Sequence, residues 1–123
     1  MKEVLITLET AKLAKEKGYD WECNYYSDSD NVTYNRLAAP NSRLKEGSYT
    51  FPTQSLLQQW FRERHNLHIV VRSGLNDKLQ TLCFKGFDII NMDRYELLRT
   101  KHKNYNIYEE GLEEALQEAL KLI

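Results

Sequence analysis

Leu67-His68-Ile69-Val70-Val71-Arg72-Ser73-Gly74-Leu75-Asn76-Asp77, continued by Lys78-Leu79-Gln80-Thr81-Leu82-Cys83-Phe84-Lys85-Gly86-Phe87-Asp88-Ile89-Ile90-Asn91, reads as one antiparallel hairpin. The first run is apolar and rich in β-branched residues, and Asn76-Asp77 after Gly74 is a turn signal. In the returning strand Leu82 and Phe84 share one parity, while Phe87 and Ile89 share the other. Gly86 lies between the two sets. One extra residue inverts the alternation of a strand, so a bulge at Gly86 returns both sets to one face.

Immediately before this hairpin the spacing predicts a helix over 53–65. Thr53 is its N-cap, Leu56, Leu57, Trp60 and Phe61 recur on one face, and Asn66 is a left-handed terminator. Arg62, Glu63 and Arg64 face water. Further upstream, Cys23-Asn24-Tyr25-Tyr26 and Val32-Thr33-Tyr34 flank the polar run Ser27 to Asn31, which marks a second hairpin. From Ala38 to Tyr49 the chain reads as loop. A helix over 8–17 starts at the cap Thr7, carries the stripe Leu8, Ala11 and Ala14, and stops at Gly18.

Downstream, Met92 to Tyr105 is ambiguous, with Met92, Tyr95, Leu98 and Arg99 spaced for one or two helical turns. The segment 107–122 is an amphipathic helix on Leu112, Ala115, Leu116, Ala119 and Leu120, with Asn106 and Glu109 forming a variant capping box. The resulting expectation is an α+β fold of order α-β-β-α-β-β-α. Two hairpins form a four-stranded antiparallel sheet, and three helices pack on one face of it. Residues 1–123 are expected to make a single domain.

Composition narrows the function classes. The chain has 123 residues, 41% hydrophobic and 28% charged, with a net charge of -1. That balance fits a folded chain and gives no global pull toward nucleic acid or an anionic membrane. No apolar run reaches the roughly 18 residues of a membrane span. The start, Met1 to Ile6, lacks the apolar core of a signal peptide. The expected setting is therefore cytoplasmic, with Cys23 and Cys83 as reduced, buried thiols.

Three stretches carry a resemblance: Thr7-Leu8-Glu9-Thr10-Ala11-Lys12-Leu13-Ala14-Lys15-Glu16-Lys17-Gly18, Pro52-Thr53-Gln54-Ser55-Leu56-Leu57-Gln58-Gln59-Trp60, and the last helix from Tyr108-Glu109-Glu110 to Leu122-Ile123. Together they resemble a family of short proteins from phage-related and mobile regions of gut bacteria. The resemblance covers only the helices. It implies a setting, as an accessory factor of a phage or mobile element, and no activity.

No motif for chemistry stands out. His65 and His68 form one close pair, and Cys23, Cys83 and His102 are scattered, whereas zinc sites use two tight pairs. Asp28-Ser29-Asp30-Asn31 begins like a calcium loop, but Val32 and Thr33 stand where an oxygen ligand and glycine are needed. No elbow or other local context supports either cysteine as a nucleophile with a histidine. No catalytic residue, metal or cofactor is therefore assigned, and an enzyme of unknown class is the third reading. The second is weak nucleic-acid binding. Arg94, Arg99, Lys101 and Lys103 cluster with Tyr95 and Tyr105, and such residues reach phosphates and stack on bases. Opposing it are Asp93, Glu96 and the glutamates of the last helix. The leading reading is a non-catalytic protein-binding domain, with Tyr25, Tyr26 and Tyr34 grouped on one hairpin as the contact residues.

Overall fold

Thr7 opens the first helix as its sequence requires. Its hydroxyl accepts from the Thr10 amide at 3.4 Å, and α1 runs from Leu8 to Glu16. The computed structural model describes residues 4–27, 31–76 and 81–123. Two compact units divide the chain, residues 1–57 and 58–123.

In the first unit, β1 (Cys23–Ser27) pairs antiparallel with β2 (Val32–Ala39) on one side and with the short β3 (Tyr49–Thr50) on the other. The buried side of α1 is Thr10, Ala11 and Ala14, and small residues there let the helix lie close to its neighbours. Leu8, expected in the apolar stripe, is 39% exposed. Gly18 does stop the helix, with φ +91. Polar ties hold the long connection after β2. The amide of buried Asn41 donates to Tyr19 O at 2.8 Å, its oxygen accepts from Thr50 N at 3.0 Å, and Lys15 Nζ donates to Ser48 O at 2.7 Å.

The helix α2 (Gln54–Trp60) is capped by Thr53, whose hydroxyl accepts from Leu56 N at 3.1 Å. It continues as a wider π-helical turn, Phe61–His65. Asn66 ends that turn in the left-handed region, at φ 53, with its N–H bonded to Phe61 O. Opening the turn stacks His65 edge-on against Trp60, at 4.7 Å between ring centroids, and burial lowers the pKa of that imidazole. Leu57, Trp60 and Phe61 are buried as their spacing predicts, but Leu56 is only half-buried.

In the second unit, β4 (Leu67–Asn76), β5 (Thr81–Asn91) and β6 (Glu96–Tyr105) form an antiparallel meander, order β4-β5-β6. The register shifts between Arg72 and Ser73 on one side of β5 and between Phe84 and Gly86 on the other. The bulge expected at Gly86 is therefore present. Before it Phe84 packs against Tyr108 at 5.7 Å, but Leu82, expected on the same face, is 67% exposed; after it Phe87 and Ile89 are fully buried on the face that α3 (Tyr108–Leu122) covers. Leu112, Ala115, Leu116, Ala119 and Leu120 are the buried stripe of α3. Gly111 lets the helix approach the sheet, since a Cβ there would lie 3.2 Å from both Tyr105 and Val71. No capping box forms: the N-cap is Ile107, without a side-chain hydrogen bond.

The expected four-stranded sheet with three helices on one face is not what the chain forms. Among the described residues six strands make two separate three-stranded antiparallel sheets. Each hairpin takes its third strand from its own flank: β3 comes from the stretch read as loop and β6 from the ambiguous segment. The face carrying Phe87 is covered by α3, while α1 packs beside β3.

Candidate functional site

β2 is the outermost strand of the first sheet, and from Val32 to Leu37 every residue is exposed. The Tyr25 carbonyl accepts from Phe51 N at 2.8 Å, on the β3 side of β1. A strand residue directs its N–H and C=O to the same side, so Tyr25 turns toward β3 and its cross-strand partner Tyr34 turns away from β1. Tyr25 and Tyr34 thus form the close, non-hydrogen-bonded kind of pair, in keeping with ring centroids 5.2 Å apart. Val32, two residues earlier, has the orientation of Tyr34. The backbone donors and acceptors of Val32 and Tyr34 therefore point to the unpaired side of the sheet. Tyr25 and Tyr34 beside them are 38% and 58% exposed, and Val32 is 42% exposed.

Tyr26 differs from its neighbours. It is half-buried, and its hydroxyl donates to Leu37 O at 3.4 Å, bracing the irregular second half of β2. There the register jumps from Tyr25–Tyr34 to Cys23–Ala39, and Asn35 Oδ1 accepts from Leu37 N at 3.0 Å.

The other sheet edges are blunted in recognised ways. β3 has two residues. The β4 edge is occupied at Ile69, whose carbonyl accepts from Gln58 Nε2 at 3.0 Å. β6 bristles with Glu96, Arg99, Lys101 and Lys103. β2 has a single charge, Arg36.

From Glu96 to Tyr105 the ambiguous segment is strand rather than helical turn, and it alternates. Arg99, Lys101 and Lys103 fall on the α3 side. Arg99 lies 3.8 Å from Glu118, Lys103 lies 3.3 Å from Glu114, and Lys101 also bonds to Glu114. Tyr105 donates its hydroxyl to the same carboxylate at 2.5 Å. Burial pushes the Glu114 carboxyl up, but the hydrogen bonds from Lys101, Tyr105 and Lys103 outweigh it and hold the pKa at about 2. Burial raises the Tyr105 phenol, and the adjacent Glu114 adds to the rise. Arg94 stands apart at the β5–β6 turn, exposed, next to Tyr95, which is 86% exposed at φ 51.

The opposite face of this sheet holds a polar line that the sequence reading missed. Arg72 Nε lies 3.3 Å from Asp88 Oδ2, Thr100 donates to Asp88 at 2.5 Å, and Arg72 Nη2 donates to Lys101 O at 2.6 Å. Facing charges at Arg72 and Asp88 across the hairpin were the available signal, but only the bulged register aligns them. These contacts tie the three strands together across the sheet, although the buried Arg72 Nε has only the ion pair with Asp88 and no hydrogen bond of its own.

The thiols are buried. Cys23 lies 3.5 Å from the Tyr19 hydroxyl; burial raises its pKa, and the hydrogen bond with Tyr19 offsets this only in part. A raised thiol pKa disfavours the nucleophilic thiolate. Among the described residues no group of three or more His, Cys, Asp and Glu gathers as for a metal. Asp28 to Asp30, the core of the acidic loop, lie outside the described residues. No helix among the described residues is long and apolar enough to cross a membrane. No family model, curated protein or solved structure matches the chain.

Proposed function

We propose that this chain is a non-catalytic protein-binding domain that docks an extended polypeptide segment along the free edge of β2. The observation that carries this is the contrast between edges: β2 is long, exposed and nearly uncharged, while the others are short, bonded or charged. An added strand would gain main-chain hydrogen bonds at Val32 and Tyr34. Its alternate side chains would lie over Tyr25, Tyr34 and Val32, which favours apolar or aromatic residues at every second position. Arg36 favours a carboxylate near one end. A cytoplasmic accessory role in a phage or mobile element is the setting we propose with it, and that rests on the resemblance of the three helical stretches.

The experiment is selection of a random dodecapeptide display library on the full chain. Enriched peptides should alternate apolar and polar residues. Their binding should weaken in Tyr34→Ala, which removes the ring, and vanish in Tyr34→Pro, which also removes the outward N–H. Peptides that bind Tyr34→Pro as well as the native chain would overturn the reading.

A further inference from the structure

Resting on the β2 docking reading, we infer that the partner strand is β2 of a second copy of this chain, paired antiparallel across a two-fold axis at Thr33. The jump in register beyond Tyr34 leaves Val32, Thr33 and Tyr34 as the regular part of β2, and Thr33 is its centre. Pairing about that centre sets Val32 against Tyr34 of the second copy, and Tyr34 against its Val32. These are the two residues whose N–H and C=O point outward, so each pair exchanges both main-chain bonds. Thr33, whose backbone faces β1, becomes a close pair with its own copy on the axis.

The side chains fit the same register. Val32 of one copy meets Tyr34 of the other beside Tyr25, an aromatic and β-branched pairing that sheets favour. On the other face threonine meets threonine, another favoured pair. No charge falls within the three-residue match. An isologous contact of this kind consumes both free edges, leaving a six-stranded sheet that ends on the two-residue strands β3 and so does not propagate. The contact is small, and the dimer is accordingly weak and concentration-dependent.

Three variants of the full chain test this, with the peptide selection above run in parallel. Sedimentation should show wild-type protein dimerising as concentration rises. Thr33→Lys, which opposes two ammonium groups on the axis, should weaken the dimer about fivefold or more while a heterologous peptide still binds. Thr33→Cys should give a disulfide-linked dimer under mild oxidation, since close antiparallel pairs hold Cα atoms at bonding range. Asn35→Cys, off the axis, should lag far behind, and native Cys23 and Cys83 are buried. A wild-type monomer that still selects peptides would overturn self-pairing and leave the docking edge standing. A dimer unaffected by Thr33→Lys, or cross-linking equal at 33 and 35, would overturn it in favour of another surface. Absence of both dimer and peptides would sink both readings.

Discussion

Gly86 approaches the main chain of Lys101 so closely that a Cβ on it would sit 1.8 Å from the Lys101 carbonyl oxygen. The same carbonyl accepts from Arg72, whose guanidinium passes 2.7 Å from that empty position. The missing side chain is thus what lets Arg72 cross the sheet to the bulge. With φ at +128 the backbone also disfavours any L side chain. Gly86→Ala should cost roughly 3 kcal/mol or more, by strain and displacement of a neighbouring strand. Gly74→Ala is the control, since the nearest atoms its Cβ would meet belong to the flexible Lys85 side chain, at 2.8 Å, and no backbone atom lies as close. Its loss should stay below about 1 kcal/mol. Urea denaturation of the two variants reads the difference.

Glu114 predicts a pH profile. Its folded pKa, about 2, lies below its ordinary 4.5. The stability it contributes is therefore complete above 4.5 and is lost as pH falls toward 2. Melting temperature should fall across that window, and Glu114→Gln should flatten part of the fall while lowering stability at neutral pH. A profile identical to that of the native chain would show that the Lys101, Lys103 and Tyr105 contacts to Glu114 are not made in solution.

Trp60 is 4% exposed and covers His65. Trp60→Ala should cost about 3–5 kcal/mol, from lost transfer energy and the cavity left behind. In the molecules that remain folded, the His65 pKa should rise back toward 6.5, because the ring that desolvates it is gone. Proton NMR titration of the imidazole reads this independently of the melting temperature.

Tyr95 adopts φ 51 while 86% exposed. A left-handed backbone costs a residue with a Cβ about 1 kcal/mol, and burial returns little of that here. Tyr95→Gly should leave stability unchanged or raise it by up to about 1 kcal/mol. A loss above that in thermal melts would mean the ring packs on its neighbours.

Arg99, Lys101 and Lys103 are held by Glu114 and Glu118, which predicts little affinity of the native chain for oligonucleotides. Removing both carboxylates, in Glu114→Gln with Glu118→Gln, should free the cations and produce weak binding that falls with salt. Micromolar, salt-sensitive binding by the native chain, lost on replacing Arg94, Arg99, Lys101 and Lys103, would instead establish the basic segment as a nucleic-acid surface.

The local elements of this protein follow from residues that are neighbours in the chain. Thr7, Thr53 and Asn66 start and stop helices through their own side chains and backbone preference, within one turn of the residues they serve. The stripe from Leu112 to Leu120 sets which side of α3 is buried, and Gly86 sets the bulge, because each depends on neighbours close in sequence. Which strands share a sheet depends instead on contacts between distant parts of the chain. Two-residue β3 has almost no pattern of its own. β6 alternates Arg99, Lys101 and Lys103 instead of apolar residues, because glutamates on α3 rather than a greasy core lie over it. The candidate site divides the same way. Tyr25 and Tyr34 were legible as an aromatic hairpin, but whether Tyr34 turns its amide to β1 or to open solvent depends on where β3 docks, and that is settled by hydrogen bonds between residues far apart in the chain.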